Sequence, residues 1–200
     1  MIGIKQKLLR FCLLLALFGL FLSPAQACVG KTLVIGSTGG LQQDVLANLL
    51  AQLITERTGT SVKLVTHETS NSAHQALLKD DLDIYVEYTG VGQLEILGAE
   101  PLTDPAQLYQ AVKARYNEEL NLVWLEPLGF EVALQGVTIP TQAAPVARKD
   151  TLKKFPALAR LINKLGGTID GETIARLEVE AGQRGAKEVA RGFLKQNRLI

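Results

Sequence analysis

The residues with the most chemical potential in this 200-residue chain lie in the run DIYVEYTG, residues 83–90, which holds two tyrosines and two acids. Successive side chains of a strand point to opposite faces, so Tyr88 would lie on one face and Tyr85 and Glu87 on the other. A phenol at the carboxyl end of a strand presents an electron-rich ring, which attracts a cation and above all a quaternary ammonium. The alternative is a half-buried strand tyrosine whose hydroxyl is satisfied at the rim of the sheet. Glu87 is predicted to have a structural, hydrogen-bonding role.

A second candidate is the turn Ser37-Thr38-Gly39-Gly40, which lies between an apolar strand and a long helical pattern. Backbone N–H groups at the positive end of a helix bind anions, so this turn could contact a carboxylate. It lacks the Gly-Lys-Ser/Thr of a nucleotide P-loop and does not match GxGxxG, which argues against a phosphate. The alternative is a tight turn without a ligand.

The segment from His67 to His74 contains two histidines and Glu68, which raises the question of a metal. Their spacing distributes them over a strand-to-helix loop, and no third ligand set accompanies them, so we predict no metal and no other cofactor. Ser70 and Asn71 either cap the helix that follows or line the same rim as the turn at 37–40, and capping is the favoured prediction. Since no nucleophile elbow or other catalytic motif links the Ser, His and Asp residues, we also predict that the chain is not an enzyme.

Elements that alternate along the chain must position these residues. Short β-branched runs alternate with helical patterns in the order β-α-β-α-β, which predicts an α/β fold with a mostly parallel sheet flanked by helices. The predicted strands are 32–36, 62–66, 83–90, 121–125 and 144–147. The predicted helices are 41–54 with Gly59 as C-cap, 73–79, 105–120 with Asp104 as N-cap, 152–165, 172–180 and 186–196.

The first residues have the features of an export signal. Basic residues precede an apolar stretch, and a small-residue cleavage site ends at Ala27, so residues 1–27 are predicted to be removed. Cys28 is then either a free thiol at the start of a soluble protein or the lipid attachment site of a membrane-anchored lipoprotein. Either route places the protein in the periplasm or outside the cell. Cleavage would leave 18 basic and 20 acidic side chains, a net charge of −2, which argues against a nucleic-acid partner.

Five stretches together resemble a known family. They are LVIGS at 33–37, DIYVEYTG at 83–90, VWLEPLGF at 123–130, the segment from APVARKD at 144 to LGG at 167, and AKEVARGFLKQNRLI at 186–200. They are similar to the glycine betaine, choline and carnitine binding proteins of osmoprotectant ABC importers, the OpuAC or ProX type. The resemblance implies a type II periplasmic-binding-protein architecture, in which tyrosines of two lobes surround a trimethylammonium group and basic and hydroxyl groups meet the carboxylate.

The chain departs from that family in three places. Tyr88 matches a cage tyrosine of the first lobe, but Thr38 stands where the family has a carboxylate-facing lysine, and Val91 where it has a threonine. Only residues 131–143 lie where the family builds its second lobe, too few for a domain. We therefore predict a single lobe over 28–200, made of a first segment (28–130), a shortened crossover (131–143) and a C-terminal segment (144–200).

These observations predict an exported substrate-binding component of an ABC importer for quaternary-ammonium compatible solutes, in a reduced, single-lobe form. The predicted ligand-binding residues are Tyr88, Ser37, Thr38, Thr89 and Tyr85. Predicted partners are the small cation, the permease of the same importer, and a second copy or another chain that completes the cleft. The alternative is a non-transporting interaction or sensory module that keeps the lobe but binds a protein.

Overall fold

The computed structural model describes residues 32–137 and 139–200, so the predicted signal peptide and Cys28 lie outside the described residues. Its first half is the predicted β-α-β-α-β unit. The strands are β1 (Leu33–Ser37), β2 (Val62–Thr66) and β3 (Ile84–Tyr88), and the helices are α1 (Leu41–Thr58) and α2 (Ser70–Leu78).

The remaining elements complete the layers. After the short helix α3 (Thr89–Val91) and a π-helical turn (Gly92–Ile96) come α4 (Pro105–Glu119), β4 (Leu122–Trp124), β5 (Glu131–Val132) and β6 (Thr141–Arg148). The chain ends with α5 (Lys149–Lys154), α6 (Leu158–Ile162), a 3₁₀ turn (Asn163–Leu165), α7 (Gly171–Arg184) and α8 (Ala186–Gln196).

The six-stranded sheet has the order β2-β1-β3-β6-β4, with β5 paired to the start of β6. The pairs β1–β2 and β1–β3 are parallel, whereas β6 runs antiparallel to β3, β4 and β5. Five strands therefore share one direction, and β6 alone opposes them. The predicted α/β class, with a sheet flanked by helices, is confirmed, and the sheet is mixed: two of its pairings are parallel and three antiparallel. The carboxyl ends of β1, β2 and β3 meet at one edge of the sheet.

Two apolar clusters cover the two faces of the sheet. Ile84, Val86 and Tyr88 belong to one cluster with α1, α6, α7 and α8, and Tyr85 belongs to the other with α2 and α4. The alternation predicted for β3 is therefore correct. Helix α1 is buried from Gln43 to Ile54 except on its most polar side, because it lies between the sheet and the pair α7 and α8.

Several helix ends follow from local sequence. Gly59 adopts the left-handed conformation that ends α1 (φ 69°), as its position predicts. The side chain of Asp104 accepts a hydrogen bond from the backbone N–H of Gln107 and so caps α4. The cap of α2 is Thr69, in a reciprocal pair with Ser72, so the prediction that Ser70 or Asn71 would cap this helix is wrong. Among the described residues, no helix is both long and apolar enough to cross a bilayer.

Candidate functional site

Four of the five predicted ligand-binding residues lie at the carboxyl edge of the sheet. Ser37 is the last residue of β1, and Thr38 begins the turn into α1. Tyr88 is the last residue of β3, and Thr89 begins α3 directly after it. Since β1 and β3 are neighbouring parallel strands, the two ends form adjacent parts of one edge. In open α/β sheets this edge is where ligands bind.

The turn between β1 and α1 is held by one serine. The Ser37 hydroxyl donates a hydrogen bond to Asp44 Oδ1 (2.7 Å) and accepts one from the backbone N–H of Gly39 (3.2 Å). Gly39 and Gly40 both have φ near +80°, a conformation that favours glycine. Helix α1 begins after Gly40 with no side-chain cap. Its first N–H groups therefore face the edge of the sheet without a partner from a capping side chain.

Tyr88 is more deeply buried than an aromatic ring that faces an open ligand site. Tyr88 is 6% exposed, and its hydroxyl donates a hydrogen bond to Gln42 Oε1. The amide of Gln42 in turn donates to Glu178 Oε1 of α7 over 2.6 Å. Burial raises the pKa of the Tyr88 phenol, so the hydroxyl stays protonated. These two hydrogen bonds connect β3 through α1 to α7 and cover the phenol.

Gln43 adds a second amide beside the same phenol. Its amide lies near the hydroxyl, where it opposes the effect of burial on the pKa of Tyr88 without meeting the geometry of a hydrogen bond, and Gln43 is 5% exposed. Neither its Nε2 nor its Oε1 atom has a hydrogen-bond partner among the described residues. A buried amide without partners is costly unless a ligand or water supplies them. Gln43 therefore marks the first turn of α1 as a place where a polar group is expected.

Thr89 connects the edge to the crossover. Its side chain is fully buried, and its Oγ1 accepts a hydrogen bond from the backbone N–H of Gln142 in β6 (3.0 Å). Gly90 follows, and a Cβ added there would lie 2.2 Å from Thr141 Oγ1. Through these contacts, Thr89 and Gly90 fix the position at which β6 enters the sheet. Thr38 is half-buried at the rim.

The structure does not bring Tyr85 to this edge. Its side chain is fully buried on the opposite face, where its hydroxyl donates to Glu87 Oε2 (3.0 Å). A separation from Tyr88 follows from the period of the strand, because odd and even positions point to opposite faces. Tyr85 therefore has a packing role, and the group at the edge reduces to Ser37, Thr38, Tyr88 and Thr89. The hydrogen-bonding role expected of Glu87 is observed.

Sequence reasoning missed Gln42, Gln43 and Glu178. A signal for the glutamines was present, since two adjacent amides follow the glycine turn and open an otherwise apolar helix. Glu178 offered no signal, because it lies on α7, 136 residues from the Gln42 that it meets.

Comparison with known proteins identifies what this arrangement is similar to. The sequence profile of OpuAC, described as the substrate binding domain of ABC-type glycine betaine transport systems, matches residues 31–141 and 132–196. The two matched segments overlap within the short crossover.

Individual relatives of this chain are binding proteins of the same kind as the matched family profile. The chain is 29% identical over 184 residues to the carnitine transport binding protein OpuCC of Listeria monocytogenes, a match that covers 86% of this chain and 57% of that protein. It is 36% identical over 125 residues to the glycine-betaine-binding protein of Pseudomonas aeruginosa, covering 62% of this chain and 39% of that one. The match thus spans a little more than half the length of the first relative and about two fifths of the second.

The fold has a counterpart among solved structures. A crystal structure described as a glycine betaine/carnitine/choline ABC transporter superposes with a TM-score of 0.79 at 17% identity, covering 85% of this chain and 99% of the other. At this identity the likeness shows the fold, and it confirms the predicted binding-protein-like α/β architecture.

Proposed function

The chain belongs to the family of substrate-binding domains of ABC-type glycine betaine transport systems, and from this premise we propose that it is a substrate-binding component of an ABC importer for quaternary-ammonium compatible solutes. The single observation that carries the proposal is the position of Tyr88 at the carboxyl end of β3, beside the uncapped start of α1. The protein acts outside the cytoplasm, as a soluble chain or anchored through Cys28, and delivers its ligand to the permease of the same importer. Binding and release are its whole task, without catalysis.

The two ends of a betaine-like ligand require different partners. The trimethylammonium group has no N–H, so it is recognised by the electron-rich face of an aromatic ring. Tyr88 supplies that ring once the Gln42 amide moves aside. The carboxylate meets the free N–H groups at the start of α1, with the unpartnered amide of Gln43 and the hydroxyl of Thr38 beside it. This arrangement replaces the lysine that the family has at the position of Thr38.

One lobe encloses only part of such a ligand. Small-molecule sites bury most of the ligand surface, and residues 131–143 are too few to build a second lobe. Two large apolar side chains flank the Gln42–Glu178 contact in sequence and are open to solvent: Leu41 is 48% exposed and Val179 is 65% exposed. We propose that a second protein surface, either another copy of this chain or a separate chain, covers them and closes the site.

The direct test is calorimetric titration of the purified protein with glycine betaine, choline and carnitine. We expect saturable binding with a millimolar dissociation constant, because half of the cage is missing. Tyr88→Ala should abolish this binding and Tyr88→Phe should retain most of it, since the ring carries the interaction. Tyr109→Phe is the matched control, because Tyr109 packs in the cluster on the other face of the sheet.

The proposal fails if the folded protein binds none of the three ligands at millimolar concentration, or if Tyr88→Ala binds as well as the wild type. Sedimentation with and without ligand tests the closing surface. A ligand-dependent dimer that Val179→Glu prevents would assign the second wall to another copy, and a monomer in both conditions would exclude that copy.

A further inference from the structure

A carboxyl group is buried in the strand that ends at the proposed cation site, on the face opposite the Tyr88 side chain. Glu87 is fully buried in β3, next to Tyr88 in sequence. Its Oε1 accepts hydrogen bonds from the backbone N–H of Tyr88 (2.8 Å) and from the hydroxyl of Ser70 (3.2 Å). Its Oε2 accepts one from the hydroxyl of Tyr85 (3.0 Å). One carboxyl therefore joins the end of β3 to the start of α2.

All three donors are neutral. Among the residues that the structure describes, no basic side chain forms a salt bridge with Glu87. A buried carboxylate without a cation is expensive to ionise. The desolvation accordingly raises the pKa of Glu87 from its ordinary value of 4.5 to about 7, against the three hydrogen bonds, which lower it.

The groups that surround Glu87 do not compensate its charge. From the π-helical turn, the carboxylate of Glu95 raises the pKa of Glu87 further. From α4, Tyr116 has its own pKa raised by burial and by Glu87, and it packs edge-on against His74 of α2. Burial lowers the pKa of His74 to about 4, so this imidazole is uncharged near neutral pH. On the strand side, β6 places Ala144 opposite Glu87, and the phenols of Tyr85 and Tyr88 stay protonated.

We propose that Glu87 is a positioning residue of the cation site and that the charge on its carboxylate makes binding of a quaternary ammonium dependent on pH. This inference rests on the proposed function. Glu87 acts through Tyr88: its carboxylate accepts the hydrogen bond from the Tyr88 backbone N–H, and its negative charge acts across the strand on the Tyr88 phenol, whose pKa it helps to raise.

The sign of the effect follows from linkage. A quaternary ammonium keeps its charge at every pH, and it attracts the ionised carboxylate more than the neutral acid, so binding favours ionised Glu87 and releases its proton. The hydrogen bonds from Tyr88 and Ser70 are also stronger to a carboxylate than to a neutral carboxyl. Both effects act in the same direction. Affinity therefore rises as pH increases through the neutral range and becomes constant once Glu87 is fully ionised.

The experiment is a calorimetric titration with choline, which has no group that titrates near neutral pH. Dissociation constants are measured from about pH 5.5 to about pH 8.5 for the wild type, Glu87→Gln and Glu95→Gln. We expect wild-type affinity to rise about fivefold over this range, a coupling of ordinary size. Glu87→Gln keeps an acceptor for the Tyr88 N–H, so it should bind choline with a constant affinity. Removing the exposed charge of Glu95 should move the midpoint to lower pH.

Each result has a definite meaning. Binding that does not change with pH in the wild type, or a slope that persists in Glu87→Gln, overturns this inference and leaves the proposed function standing. Failure to bind choline at any pH overturns the proposed function, and this inference with it. If Glu87→Gln does not fold, the shifted midpoint of Glu95→Gln supports the inference, and an unshifted midpoint overturns it.

Discussion

Two buried titratable groups on one face of the sheet should give the stability of this protein an unusual response to pH. The pKa of Glu87 rises from 4.5 to about 7 on burial, and the pKa of His74 falls from 6.5 to about 4. Each difference corresponds to about 3 kcal/mol of differential free energy between the folded and unfolded states. The perturbation is the removal of one group at a time, by Glu87→Gln or by His74→Phe.

The two groups act in opposite directions. The folded protein holds the Glu87 proton more tightly than the unfolded chain, so its contribution to stability is complete below pH 4.5 and is lost as pH rises to about 7. The folded protein resists protonation of His74, so the contribution of this group is complete above pH 6.5 and is lost as pH falls to about 4. Between these limits the gain from one offsets the loss from the other, and the wild type should have a nearly constant free energy of unfolding.

The variants should reveal the hidden slopes. In Glu87→Gln, His74 is the one of these two groups that still titrates, so the free energy of unfolding should rise by about 2 kcal/mol from about pH 4.5 to about pH 6.5. In His74→Phe, Glu87 is the one of these two groups that still titrates, so the free energy of unfolding should fall by about as much over a similar range. Urea unfolding followed by the fluorescence of Trp124, the single tryptophan of the chain and buried in the same cluster, measures both. Parallel pH profiles for the wild type and both variants would refute the reasoning.

Three further predictions concern packing and hydrogen bonds, and urea unfolding measures each. Gly92→Ala would place a Cβ 2.8 Å from the ring of Trp124 and should lower the free energy of unfolding by about 1–3 kcal/mol. In the matched control Gly192→Ala the new Cβ has nothing within 4 Å, and the substitution should stabilise α8 by about 0.5–1 kcal/mol. Equal effects of the two substitutions would contradict the packing argument. Asp83→Ala removes the acceptor of a backbone N–H and of a buried hydroxyl and should cost about 3 kcal/mol, and a loss below about 1 kcal/mol would count against it. Asp104→Ala should cost about 1 kcal/mol as a lost helix cap, and an unchanged midpoint would show that this cap contributes nothing.

The parts of the fold that the sequence predicts are those determined by local chemistry. Glycines and capping residues mark helix ends, and helix 186–196 was predicted with its observed bounds. The predicted helix 152–165 is wrong as one piece, because the chain breaks at Phe155–Ala157 into α5 and α6. Pro156 was a visible signal for that break, since proline removes a helical hydrogen bond.

The parts that the sequence does not predict depend on long-range pairing. A short strand was expected at 144–147, but β6 spans Thr141–Arg148 because it pairs with β5, β3 and β4 along its length. Nothing local specifies that it runs against the other strands. The candidate site shows the same division: the end of β3 was predicted from alternation, whereas the cover over Tyr88 depends on a contact between α1 and α7.

The pairing of β5 with β6 has a consequence for how this protein can vary in size. Glu131 lies opposite Gln142, and Val132 opposite Thr141, so the chain leaves and re-enters the sheet at one point. A segment of any length attached there has both ends already fixed side by side, and the closure entropy of a longer loop grows only slowly, by about 0.6 kcal/mol for each doubling. Residues 133–137 are therefore a permissive insertion point, at which a whole domain can be gained or lost in evolution, or grafted by an engineer, without a change in strand register.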